Sequence, residues 1–159
     1  MANNLFILNK VKATAHYVDV VAPDGVTNGN IVVIGTQASD KTYACAANGA
    51  VTDTGMAIIC NPNLPYGAEV LENDTPITTG EIVRARIVEL GDVESYAVAT
   101  VTATVALAQN KIVAPKATTL KMECLAAAGG TESIVYIIDE LFTKAGVPMV
   151  KIRCIKAQV

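Results

Sequence analysis

With 159 residues, 52% hydrophobic and 17% charged, the chain suits one domain or two small lobes and can bury a core, which excludes disorder of the whole. A net charge of −3 and a pI near 5.1, with 12 scattered Lys and Arg, offer a nucleic-acid backbone no concentrated positive field. The apolar residues are mainly Ala, Val and Ile, with two Phe and no Trp, a composition that favours strands over helices. At the N-terminus, Met1-Ala2-Asn3-Asn4 lacks a basic region, and the apolar run Leu5-Phe6-Ile7-Leu8 is too short for a signal or a membrane span, so synthesis in the cytoplasm without membrane insertion is expected.

That run has two readings. Four large apolar residues near a terminus need a dry place, and burying them would contribute about 6 to 12 kcal/mol gross at about 1.5 to 3 per side chain, enough to anchor a docking arm (residues 1–10) on a partner. Leu5, Phe6, Ile7 and Leu8 would then make the contact, flanked by Lys10 and Lys12. Alternatively the run is a first strand paired within its own sheet.

Turn signals follow at Pro23-Asp24-Gly25, Asn28-Gly29, Asn48-Gly49, Pro65-Tyr66-Gly67, Asn73-Asp74-Thr75-Pro76 and Gly91-Asp92. Between them lie β-prone runs at residues 11–21, 31–35, 42–46, 56–60 and 81–90. In 11–21 the apolar phase changes around Asp19, which predicts a bulge near residues 17–19. In 81–90, Val83, Ala85 and Ile87 share one face while Arg84 and Arg86 project from a solvated one. Thr100, Thr102 and Thr104 alternate with Val101, Ala103 and Val105, so 101–109 reads as a strand. Leu120, Met122 and Cys124 alternate with Lys121 and Glu123, and Val150, Ile152 and Cys154 with Lys151 and Arg153, giving two further strands with a wet face. Residues 134–138 are apolar on both faces and predict a strand covered twice. Residues 138–145 read as an irregular connection in preference to a short helix. The sum is a mainly β protein of small sandwich- or barrel-like lobes with short helices or none. The 73–76 turn is the candidate joint between an N-terminal lobe (1–76) and a C-terminal one (77–159), which together can also form one compact unit.

The residues offer little chemistry. His16 is the only histidine and lies on the wet face of its strand, so a two-histidine metal site within one chain is impossible. No nucleophile elbow, phosphate loop or dinucleotide fingerprint is present. Cys45, Cys60, Cys124 and Cys154 lack metal-ligand spacing and read as buried thiols. The close carboxylate pairs, Asp92 with Glu94 and Asp139 with Glu140, sit beside turns and read as solvated loop charges. Asp19, Asp24, Asn28 and Asn30 gather oxygens around a turn without calcium-loop spacing. Neither enzymatic activity nor a cofactor or metal is expected.

The order of features in the second half resembles the decoration, or cement, proteins of tailed bacteriophages. The features are the strand Glu81-Ile82-Val83-Arg84-Ala85-Arg86 before Gly91-Asp92, the Thr- and Val-rich middle, and the strand Ser133 to Ile138 returning through Thr143-Lys144-Ala145-Gly146 into Met149 to Ile155. The resemblance implies a virion protein on the capsid surface, made in the host cytoplasm. It would bind the major capsid protein as a homo-oligomer, a dimer or trimer, and involve neither nucleic acid nor membrane. Other readings are a tail-tube, head-fibre or baseplate subunit, for which residues 133–155 would form a projecting hairpin, and a ligand- or carbohydrate-binding module. The module would need an aromatic platform drawn from Tyr17, Tyr43, Tyr66, Tyr96 and Tyr136.

Overall fold

Alternating apolar residues in short strands build two layers, a closed barrel and a seven-stranded sheet. The computed structural model describes residues 6–10 (backbone alone for 9 and 10), 16–47, 49–60 and 77–157. In chain order the strands are β1 (Phe6–Lys10), β2 (Tyr17–Val21), β3 (Ile31–Ser39), β4 (Thr42–Ala46), β5 (Met56–Ile59), β6 (Ile82–Ile87), β7 (Val93–Ala97), β8 (Thr102–Ala103), β9 (Ile112–Pro115), β10 (Met122–Leu125), β11 (Val135–Lys144) and β12 (Val147–Lys156). One 3-10 turn, Val98–Thr100, is the only helical element among the described residues. The protein is mainly β, with its two sheets packed together.

The barrel runs β2-β4-β3-β5-β6 and closes through the antiparallel pairing of β6 with β2. A five-stranded barrel has a narrow interior, and small or β-branched residues fill it: Val20, Val32, Ala57, Ile59, Val83 and Ala85. Alternation turns Ile31, Met56 and Ile58 outward onto the second layer. All four residues of β5 are therefore buried, one face lining the barrel and the other the seam between layers.

The second sheet runs β1-β7-β12-β11-β9-β10-β8, antiparallel except for the β10–β8 pair. Tyr136, Ile138, Val150, Ile152 and Val113 point from it into the seam. Backbone bonds cross between the layers as well, with Ile31 N donating to Leu120 O at 2.9 Å and Ser133 N to Val51 O at 2.9 Å.

The joint expected at residues 73–76 lies outside the described residues. The strands around it are shared: β6, beyond the joint, closes the barrel of β2 to β5, and β1, ahead of it, joins the C-terminal sheet. The predicted bulge at 17–19 is not formed, because β2 pairs with β6 in unbroken register from Tyr17↔Arg86 to Val21↔Ile82. Of 101–109 only Thr102 and Ala103 are in a strand. Residues 138–144 are neither connection nor helix. They continue β11, and the connection is the two-residue turn Ala145-Gly146, whose φ values of 48° and 81° suit a right-twisted hairpin.

Phe6 pins β1 to the barrel. Its ring lies 4.9 Å from that of Tyr96 and rests against Gly29, where a Cβ would meet a ring carbon at 2.9 Å. Gly29 also holds φ at 84°, a conformation that side chains resist. Gly29→Ala should therefore cost about 2 kcal/mol in urea unfolding. A smaller penalty for the same change in a Phe6→Ala background would assign part of the cost to the ring contact; equal penalties would assign all of it to the backbone.

Candidate functional site

The most concentrated chemistry is an ionic cluster in the seam. Alternation along β6 turns Arg86 to the outside of the barrel, as the sequence indicates, but this end of β6 is roofed by the second sheet and Arg86 is 0% exposed. The solvated face holds for Arg84 and fails for Arg86. Asp92 and Glu94, expected as solvated loop charges, are 1% and 0% exposed and pair with the two terminal nitrogens of Arg86. A guanidinium without water requires such partners.

Local structure sets both carboxylates. Asp92 Oδ2 accepts from Glu89 N at 2.8 Å, closing the 89–92 turn, and Asp92 O accepts from Cys154 N at 2.8 Å, clipping that turn to β12. Glu94 shares the seam face of β7 with Tyr96, whose hydroxyl donates to Glu94 Oε2 at 3.4 Å. Tyr136 lies beside the same carboxylate but out of hydrogen-bond geometry, and Arg86 Nε and Asp92 Oδ1 also lack partners.

Burial pushes Glu94 up to about 7, against the pull of Arg86 and with help from the Asp92 charge. Burial disfavours the Arg86 charge, yet Glu94 and Asp92 outweigh it and hold its pKa above the ordinary value. Desolvation also holds Tyr96 and Tyr136 well above the usual phenol range. The cluster joins the barrel, through Arg86, to the sheet, through Asp92 and Glu94.

The thiols are free; Cys124 and Cys154 are buried as expected, whereas Cys45 and Cys60 are only half-buried, because they lie at the margin of the barrel. Burial raises Cys45 and Cys60 to about 11 and Cys154 to about 12, and raises Cys124 as well. Among the described residues no group of three or more His, Cys, Asp and Glu could hold a metal ion.

An open groove of about 410 Å³ lies on the barrel, lined by Tyr17, Val18, Asp19, Lys41, Tyr43 and Arg84. Parallel pairing of β2 with β4 brings Tyr17 and Tyr43, dispersed in sequence, into one depression. Arg84 stacks over Tyr17 at 6.0 Å and faces Asp19 at 3.8 Å. Tyr136 is fully buried and Tyr96 nearly so, and Tyr66 lies outside the described residues.

The residues singled out at the N-terminus divide. Leu5 and Lys12 lie outside the described residues. Phe6, Ile7, Leu8 and Lys10 belong to β1, an edge strand paired with β7 of the same chain. Phe6 faces the seam and Ile7 the opposite side, against Ala97 and Met149. His16 is exposed. Asp139 and Glu140 are ion-paired on the outer surface, to Arg153 at 3.0 Å and to Lys151 at 2.5 Å. Compared with known proteins, the chain matches no family model and no curated protein.

Two outcomes follow. Because the folded-state pKa of Glu94 lies above its ordinary 4.5, its contribution to stability is full below about pH 4.5 and is lost as pH rises through about 7. Urea melts should show a fall on the order of 3 kcal/mol across that window, flattened in Glu94→Gln, while Arg86→Met should cost about 3 to 5 kcal/mol at pH 8 and less at pH 5. A wild-type profile no steeper than that of Glu94→Gln would sink this account. Separately, a thiol reagent at pH 7.5 should label the four cysteines slowly in the native protein and rapidly in denaturant; fast native labelling of any one would show a thiol less protected than its burial indicates.

Proposed function

We propose that the protein is a non-enzymatic structural component of a tailed-phage virion that binds the outer surface of the capsid and stabilises the shell by bridging subunits of the major capsid protein. The observation that carries this reading is a two-layer, mainly β body in which the buried Arg86, Asp92 and Glu94 are spent on one another inside the seam. Such a body resists deformation and presents strand edges and isolated apolar side chains to a partner, among them Ile82 and Leu90, 58% and 56% exposed. The order of features that resembles cement proteins supports it from the sequence side. Bridging works by linkage: a protein bound to two shell subunits must be released before they part, and lattice repetition multiplies a modest contact.

The Tyr17/Tyr43 groove favours a second reading, a ligand-binding module, because stacked aromatic and charged side chains suit the faces and hydroxyls of a sugar. The two separate in one experiment. The full chain should co-sediment saturably with undecorated capsids of the phage that encodes it and raise the temperature at which those capsids rupture. Absence of pelleting overturns the capsid reading, and oligosaccharide binding lost in Tyr17→Ala would then install the second.

A further inference from the structure

The hairpin of β11 and β12 reaches past the strand that flanks it. On its outer side β11 pairs with β9 only at Tyr136↔Val113 and Ile137↔Ile112, and the last bonds there join Ile138 to Lys111 and Asn110, each at 2.9 Å. Asn110 stands in the left-handed region at φ 66°, and the pairing stops there. From Asp139 to Lys144 the edge of β11 has no partner strand among the described residues. β11 has its own register shift at Asp139, but from Glu140 to Lys144 its pairing with β12 is regular, and among the described residues this stretch exceeds the other free edges in usable form, since β8 spans two residues and β1 is interrupted by a register shift after Leu8.

The hairpin geometry fixes which backbone groups this edge offers. In a hairpin closed by two residues the flanking pair, Lys144↔Val147, exchanges both hydrogen bonds, and so do Phe142↔Met149 and Glu140↔Lys151. Thr143 and Leu141 then turn their N–H and C=O groups away from β12. Pro148, opposite Thr143, agrees: it has no N–H to give, and this register asks none of it toward β11.

We infer that the 139–144 edge pairs with the same edge of a second copy of this chain, antiparallel about a two-fold axis through Phe142. In that register Leu141 and Thr143 of opposite copies exchange backbone hydrogen bonds, and Glu140 faces Lys144 twice, once on each side of the axis. Same-face neighbours are kept because paired residues differ by an even number. Phe142, seated on Met149, Ala97 and Ile7, brings two rings together at the axis, and Leu141, 44% exposed, covers the other face. The charge match is what selects a copy over a foreign strand: the edge carries its own complement at the required spacing. The sheet would become continuous through two molecules.

The pairing stands on the geometry of β11 and not on capsid binding, so it is tested on the isolated full chain by sedimentation equilibrium. A reversible dimer is expected. Thr143→Pro removes two outward donors per dimer while sparing the bonds to β12, and should weaken association about tenfold with the circular dichroism spectrum unchanged. Lys144→Glu and Glu140→Lys should each weaken it by opposing like charges, and an equimolar mixture of the two variants should associate as well as the wild type. A monomer at every concentration, or an oligomer indifferent to both Thr143→Pro and the charge reversals, would overturn the inference. Neither result bears on co-sedimentation with shells, which is read separately.

Discussion

A guanidinium closed off from water cannot tolerate solitude, and much of this structure follows from satisfying Arg86. Its partners reach it only because β7 begins where it does: Asp92 ends the turn that leads into the strand, and Glu94 follows on the face that looks at the barrel. The same turn is clipped to β12 at Cys154, so the cluster couples one barrel strand to two strands of the sheet. Two carboxylates around one cation leave a surplus of negative charge in a dry place, and burial answers it by raising the pKa of Glu94. Buried ionic groups of this kind are poor sources of net stability against an apolar replacement, while losing one partner is costly. What they do geometrically is tie a barrel strand to the sheet across the seam.

Around that cluster the apolar packing is divided by size. Ala57 and Ala85 pack inside the barrel among Val20, Val32, Val83 and Ile59, and Met56, Ile58 and Ile31 supply bulk to the seam, where the sheet offers Tyr136 and Ile152. β1 belongs to the same scheme. Its Phe6 crosses toward the barrel and takes the space that Gly29 leaves vacant, so a run that reads equally as an arm or a strand is held by an aromatic contact and a missing side chain. Beyond the seam, the hairpin of β11 and β12 continues past the support of β9 and leaves a strand edge unpaired among the described residues.

What the sequence by itself determined is the class of structure and the local alternation. Strand-forming composition, turn residues at short intervals and period-two patterning led to a mainly β chain, and the faces of β6, β10 and β12 follow because side-chain direction in a strand is a local property. The cover expected on both faces of residues 134–138 is shown on one: Ile134, Tyr136 and Ile138 line the seam, while on the outer face Val135 is buried and Ile137 is only half-buried opposite Arg153. The extension of β11 through Asp139 and Glu140 was not legible, because two adjacent acids mimic a loop until their partners Lys151 and Arg153 are brought alongside.

Only the tertiary structure decided which faces are wet. Arg86, Asp92 and Glu94 carry the pattern of surface charges, and nothing local separates them from Arg84 or Asp139; they are buried because a second sheet lies over that end of β6. The meeting of Tyr17 with Tyr43, the membership of β6 in the barrel and of β1 in the sheet, and the β11 edge beyond Ile138, unpaired among the described residues, likewise depend on which distant segments pair. The physical reason is common to all of them: alternation tells which way a side chain points, and burial depends on what arrives from elsewhere in the chain to meet it.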